Sequence, residues 1–166
     1  MRQLQIRLPK PHQGQLAVLR SQAREKWLAA GRRWRKTTLA LHPAFCGYQG
    51  PDGKLFRGAI QGGEILWGAP TIDQSRIGWR EAKHAAGGTF IFVESERMAL
   101  SPTGKGRIVF RTLDDPDNAR GFTFDGVIMD EASDLKPAVY HEVIRPTISD
   151  TGGWLLAMGT PKGHNW

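Results

Sequence analysis

At 166 residues, 40% hydrophobic and 23% charged, the chain has the make-up of one globular domain. No apolar run nears the ~18 residues of a membrane span and Met1–Pro9 carry no signal-peptide core, while a lone Cys46 and five dispersed histidines exclude an internal disulfide and a multi-cysteine zinc site. Of the formal charge of +7, residues 1–36 hold +9 and the remainder −2, which marks either a phosphate-seeking front segment or a solvated basic face.

In chain order, the spacing of Leu16, Leu19 and Ala23 after Pro11 predicts a turn and then a helix within Lys10–Arg24. Lys26–Ala30 reads as a weak strand, because Ala and Lys are poor strand formers, and 36–42 reads as a helix. The Gly-rich stretch 47–63, with Pro51-Asp52-Gly53, marks turns and a surface excursion. Short apolar runs at Glu64–Gly68, Thr89–Val93, Arg107–Phe110, Gly126–Met129 and Trp154–Met158 are expected to be strands. The last two are continuous rather than alternating, which suits strands covered on both faces in a parallel sheet. Helices are expected near Ile72–His84 and Pro137–Ile144, so the order of elements predicts an α/β layered domain with no internal boundary. Trp27, Trp67, Trp79 and Trp154 lie in or beside apolar segments and are expected in the core. Trp34, inside the basic loop, is the one tryptophan placed to meet a nucleotide, and His12 and Cys46 have no evident partner for acid–base or nucleophilic work.

Three strings carry chemistry. Ala30-Gly31-Arg32-Arg33-Trp34-Arg35-Lys36-Thr37-Thr38, between a strand and a helix, approximates a phosphate loop, with Lys36 as phosphate ligand and the Thr37 hydroxyl as magnesium ligand. Against the strict G-x-x-x-x-G-K-[ST] pattern, Ala30 and Arg35 fall on the two glycines, so a ligand-free basic helix start stays open. Asp130-Glu131 closes an apolar strand, where an aspartate can hold the bridging magnesium and a glutamate can orient the attacking water; solubility alone also puts acids there. Thr160 follows the run Trp154–Met158 in a Gly-Thr-Pro turn. If the three strands are parallel neighbours, Lys36, Thr37, Asp130, Glu131 and Thr160 converge on one crevice.

Taken with Pro11-His12-Gln13-Gly14-Gln15, Ala69-Pro70-Thr71, Ala119-Arg120-Gly121 and Arg145-Pro146-Thr147, the strings Gly31-Arg32-Arg33-Trp34, Met129-Asp130-Glu131-Ala132 and Gly159-Thr160-Pro161-Lys162-Gly163 give a chain that resembles the ATPase domain of the phage terminase large subunit from Lys10 to Trp166. The resemblance implies a P-loop NTPase-like, three-layer α/β/α fold with a mainly parallel sheet. It implies ATP and Mg2+ as cofactors, hydrolysis that drives double-stranded DNA into a procapsid, and work in the host cell cytoplasm away from membranes. The implied partners are DNA, a portal protein and a small terminase subunit, with assembly as a ring of identical subunits. By motif position Gln15 resembles an adenine-contacting glutamine, and Gly31, Arg32, Arg33, Trp34, Arg35, Lys36, Thr37 and Thr38 the phosphate loop and helix start. Within that loop Arg32 resembles the arginine that senses or stabilises the transferred phosphoryl. Asp130 resembles the magnesium aspartate, Glu131 the catalytic glutamate, and Thr160 a member of the motif coupling hydrolysis to movement; Arg120 sits in a motif with no assigned role.

The family usually has Gly where Arg35 stands, because a Cβ there obstructs both a left-handed backbone and close approach to phosphate. Arg35 either weakens nucleotide binding or adds positive charge to a loop of different angle. The family also continues into the rest of the ATPase domain and a nuclease domain, whereas this chain stops at His164-Asn165-Trp166. Residues 1–166 therefore read as one partial ATPase domain, apparently truncated at the carboxyl end and without the nuclease. Asp114, Asp115 and Asp117 read as a solvated turn rather than a metal cluster. An impaired terminase fragment that binds DNA or a partner is the alternative, and a helicase-type ATPase fits the Gly-Arg-Arg-Trp string poorly.

Overall fold

Residues 5–163 are described by the computed structural model, so the closing His164-Asn165-Trp166 lies outside the described residues. Helix α1 (Gln13–Arg20) leads to strand β1 (Glu25–Ala29), and a loop over 30–35 enters α2 (Lys36–Cys46). A two-residue ribbon, β2 (Tyr48–Gln49) and β3 (Leu55–Phe56), fills the Gly-rich excursion before β4 (Glu64–Ala69) and α3 (Ile72–Ala86). Then come the hairpin β5 (Ile91–Val93) and β6 (Met98–Leu100), β7 (Arg107–Thr112), β8 (Gly126–Met129), a π-helical stretch Val139–Ile144 running into α4 (Arg145–Thr151), and β9 (Trp154–Gly159).

Seven strands form one sheet in the order β1-β9-β8-β4-β7-β6-β5. The first five run parallel, β6 runs antiparallel to β7, and β5 runs antiparallel to β6. Strands β8 and β9 are buried along almost their whole length, as their unbroken apolar runs require, and they sit in the interior of the sheet. Successive side chains alternate between two helical layers. Ile65, Trp67, Ile128, Leu156 and Met158 pack with α2 and α3, whereas Leu66, Val127, Met129, Leu155 and Ala157 pack with Val139, Val143, Ile144 and Ile148. The three-layer α/β/α architecture follows directly from this alternation. Gly78 on α3 lets the helix close onto the sheet: a Cβ there would lie 2.6 Å from the Trp67 indole.

Three local expectations are revised and one strand is added. Trp27 is not core; it is 50% exposed and meets Tyr140 edge-on, because β1 is the outer strand of the sheet. The strand expected from Thr89 starts only at Ile91, since the N–H groups of Thr89 and Phe90 turn back to the Ala86 carbonyl at the end of α3. Met98–Leu100, whose partner is Ile91–Val93, is a strand too short to show a period. The helix expected to end at Ile144 continues to Thr151 through Pro146, with a π-helical stretch ahead of the proline that loosens the ladder where its N–H is missing. No helix among the described residues is long and apolar enough to cross a membrane.

Candidate phosphate-loop site

Three loops leave the carboxyl ends of the adjacent parallel strands β1, β9 and β8, and their side chains meet. The β1–β9 pairing is carried one step further by the Ala30 N–H, which donates to Gly159 O at 3.1 Å. The chain then turns sharply, with Arg33 (φ 65°) and Arg35 (φ 62°, ψ 42°) both left-handed, and α2 begins at Lys36. Arg35 thus adopts the backbone that glycine supplies most easily. Its carbonyl is held by three donors: Leu39 N at 3.1 Å, the Thr38 hydroxyl at 2.8 Å and the Gln15 side-chain amide at 3.0 Å. The N–H groups of Arg35, Lys36, Thr37 and Thr38 have no acceptor among the described residues, as expected at a helix start.

Lys36 is 8% exposed, and its ammonium donates to Ala30 O (2.9 Å), Gly31 O (3.1 Å) and the Thr160 hydroxyl (3.0 Å). All three ammonium hydrogens are therefore engaged across two loops. The Thr160 carbonyl accepts from the Ser133 hydroxyl at 3.2 Å, and Lys162 pairs with Asp134 at 2.8 Å, so the loop after β9 is tied to the loop after β8. Ser133 and Asp134 belong to a single 3-10 turn, Ala132–Asp134, that starts from a left-handed Glu131 (φ 50°).

Asp130 is 5% exposed, and its N–H extends the β8–β4 pairing by donating to Gly68 O at 2.8 Å. Burial, and then the charge of neighbouring Glu131, push its carboxyl up from 3.8 to about 6. The Glu131 N–H at 3.1 Å, the nearby Trp67 indole N–H and the Lys36 charge partly offset this. Among the described residues the Trp67 N–H meets no acceptor at hydrogen-bonding geometry, so its effect on Asp130 is that of a dipole close by. The donor set fits Mg2+: a hard carboxylate and the Thr37 hydroxyl, with no group of three His, Cys, Asp or Glu among the described residues that would make an all-protein cage.

The other expected residues fall as follows. Gly31, Arg32, Arg33 and Arg35 are exposed on the loop, and Trp34, Thr37 and Thr38 are half-buried. Gln15 is buried on α1 against the back of the loop. Asp115 caps a short turn by accepting from Asp117 N at 2.9 Å, and Asp117 pairs with Arg120 at 3.0 Å, in keeping with a solvated turn. His12, for which no acid–base partner is expected, has a structural role: it caps α1 and meets Trp34 edge-on at 4.7 Å between ring centroids. Its spacing to Gln15 is that of a capping box, the signal by which it was findable. Ser133 and Trp67 carried no such signal.

A mainly parallel sheet whose outer strand ends in a lysine-bearing turn, with two adjacent acids at the end of a strand two places away, has the layout of the phosphate-loop NTPase class. No protein-family profile matches the chain. It is 33% identical over 178 aligned residues to the terminase large subunits of Thermus virus P23-45 and Thermus phage G20c, an alignment covering 95% of this chain and 35% of each relative. The solved large terminase ATPase domain of Thermus phage P74-26 superposes with a TM-score of 0.70 at 30% identity, over 95% of this chain and 67% of that one. The HK97 bacteriophage large terminase shares the fold, with a TM-score of 0.59 at 16% identity. The chain belongs to the terminase large subunit family, and spans about a third of the length of the curated relatives it matches.

Proposed function

We propose that this chain is the nucleotide-hydrolysing part of a viral DNA-packaging motor, using Mg2+ and ATP to move double-stranded DNA into a procapsid. The observation that carries the reading is the bond from Lys36 to Thr160, with Asp130 and Glu131 at the end of the strand beside Thr160. The proposal extends to a portal protein and a small terminase subunit as partners, and to a ring of identical subunits in the host cytoplasm.

When bound, Mg2+ would neutralise charge on the phosphates. Thr37 and Asp130 are the groups to hold it. Lys36 exchanges its carbonyl partners for phosphate oxygens, and the free N–H groups at the start of α2 add a cradle of donors. Arg32, exposed on the loop, supplies a cation to the transferred phosphoryl. Glu131 orients the attacking water and accepts its proton. Thr160, held by Lys36 on its hydroxyl and by Ser133 on its carbonyl, reports the loss of the Lys36 bond to the acidic loop.

Lys36→Ala is expected to abolish Mg·ATP binding, measured by calorimetry, whereas Glu131→Gln keeps binding and loses hydrolysis by at least a hundredfold. Equal turnover by both variants and the parent chain would refute the assignment.

A further inference from the structure

We infer that Gln15 is the positioning residue of the phosphate loop: its amide holds the Trp34 and Arg35 carbonyls, and so sustains a non-glycine residue in the left-handed turn. Its bearing on nucleotide binding rests on the function proposed above. Gln15 is 3% exposed, and its hydrogen-bonding inventory is almost spent. The side-chain oxygen accepts from His12 N at 3.1 Å, and the two amide hydrogens go to Trp34 O (3.3 Å) and Arg35 O (3.0 Å). Only one oxygen lone pair is left over. Pairing with a nucleobase edge takes a donor and an acceptor on the same amide, so it would require releasing the loop.

The ring of His12 completes the clasp. Its Nδ1 accepts from Gln15 N at 3.3 Å, which leaves Nε2 as the protonated nitrogen that donates to Trp34 O at 3.2 Å. Two successive loop carbonyls are thereby drawn toward α1. In a trans peptide the N–H points opposite to the C=O, so the Arg35 and Lys36 N–H groups are turned away from α1 and kept free. A loop with glycine at this point needs no such help. With Arg35 there, the left-handed turn carries a steric cost that the bonds from Gln15, Thr38 and His12 offset.

The test uses Gln15→Glu, which keeps size and the bond from His12 but has no amide hydrogen to donate, with Gln15→Leu as a second, neutral variant should the buried carboxylate unfold the chain. Inorganic tripolyphosphate with Mg2+ serves as a ligand without a base. Its affinity is expected to fall about tenfold or more, in step with that of Mg·ATP and with the preference for ATP over GTP unchanged, since one to two net hydrogen bonds are lost. Adding Arg35→Gly should restore it. Tryptic cleavage after Arg33, which needs no nucleotide, should quicken severalfold while cleavage elsewhere keeps its rate. Unchanged tripolyphosphate affinity with lost ATP preference would show a base reader and overturn the inference. So would cleavage after Arg33 that is unchanged or that rises only with every other site. If the parent chain binds neither ligand, the proposed function falls, and the cleavage pattern still decides the role of Gln15.

Discussion

Arg35 and Asp130 are each held in a condition that their surroundings make costly. Arg35 occupies a left-handed backbone with a full side chain, at a cost on the order of 1 kcal/mol. Arg35→Gly should therefore raise the unliganded denaturation midpoint by a few degrees and tighten Mg·ATP binding severalfold; equal affinities for the two proteins would show that the turn was not limiting. Asp130 is a buried acid whose pKa is raised from 3.8 to about 6. For such a group the unfolded chain ionises first, so the folded state loses stability as pH rises through that window and recovers none above it. The loss is on the order of 2–3 kcal/mol. Asp130→Asn should consequently stabilise the unliganded protein at pH 7.5, by thermal melting, with the gain fading to nothing near pH 4. A variant less stable at pH 7.5 would mean that the carboxylate is better solvated than its burial indicates.

At the level of elements, what was legible tracks apolar continuity. Gly126–Met129 forms a strand with the expected ends, because an unbroken apolar run with a glycine before it has few other fates. Lys26–Ala30 read weakly for the opposite reason. It becomes strand β1, one residue earlier, only because each residue from Glu25 to Ala29 finds a partner on β9. Tertiary pairing there overrides propensity. Strand β6 and the continuation of the helix through Pro146 were hidden because a three-residue strand shows no period and proline ordinarily ends a helix. The docking of α3 gives a direct test. Gly78→Ala places a methyl into the Trp67 indole and should cost about 1–3 kcal/mol in urea denaturation. It should also disturb Asp130, whose carboxyl the Trp67 N–H helps keep charged; a neutral effect would mean that α3 slides without cost.

Across the whole molecule, the decisive contacts join residues that no local pattern connects. Lys36 and Thr160 stand 124 positions apart and touch at 3.0 Å, because β1 and β9 are parallel neighbours in register through Ala29 and Gly159. Strand order is a global property, so the sequence supplied the lysine, the hydroxyl and the acids while leaving their meeting conditional. Residue identity likewise said nothing of Gln15 bonding to the loop or of Ser133 bonding to Thr160. The basic front of the chain, net +9 over residues 1–36, ends in the loop itself. Its loop arginines stand exposed around a lysine that is buried and fully bonded.

The proposed function puts one nucleotide between the start of α2 and the acids after β8. A crystal structure of the chain with Mg2+ and a non-hydrolysable ATP analogue tests it most directly. The expected result is the Lys36 ammonium at about 3 Å from the outer phosphates, released from the Ala30 and Gly31 carbonyls, with Asp130 and Glu131 facing the terminal phosphate and its metal. An analogue bound elsewhere, or a Lys36 still bonded to those carbonyls beside an ordered triphosphate, would contradict it.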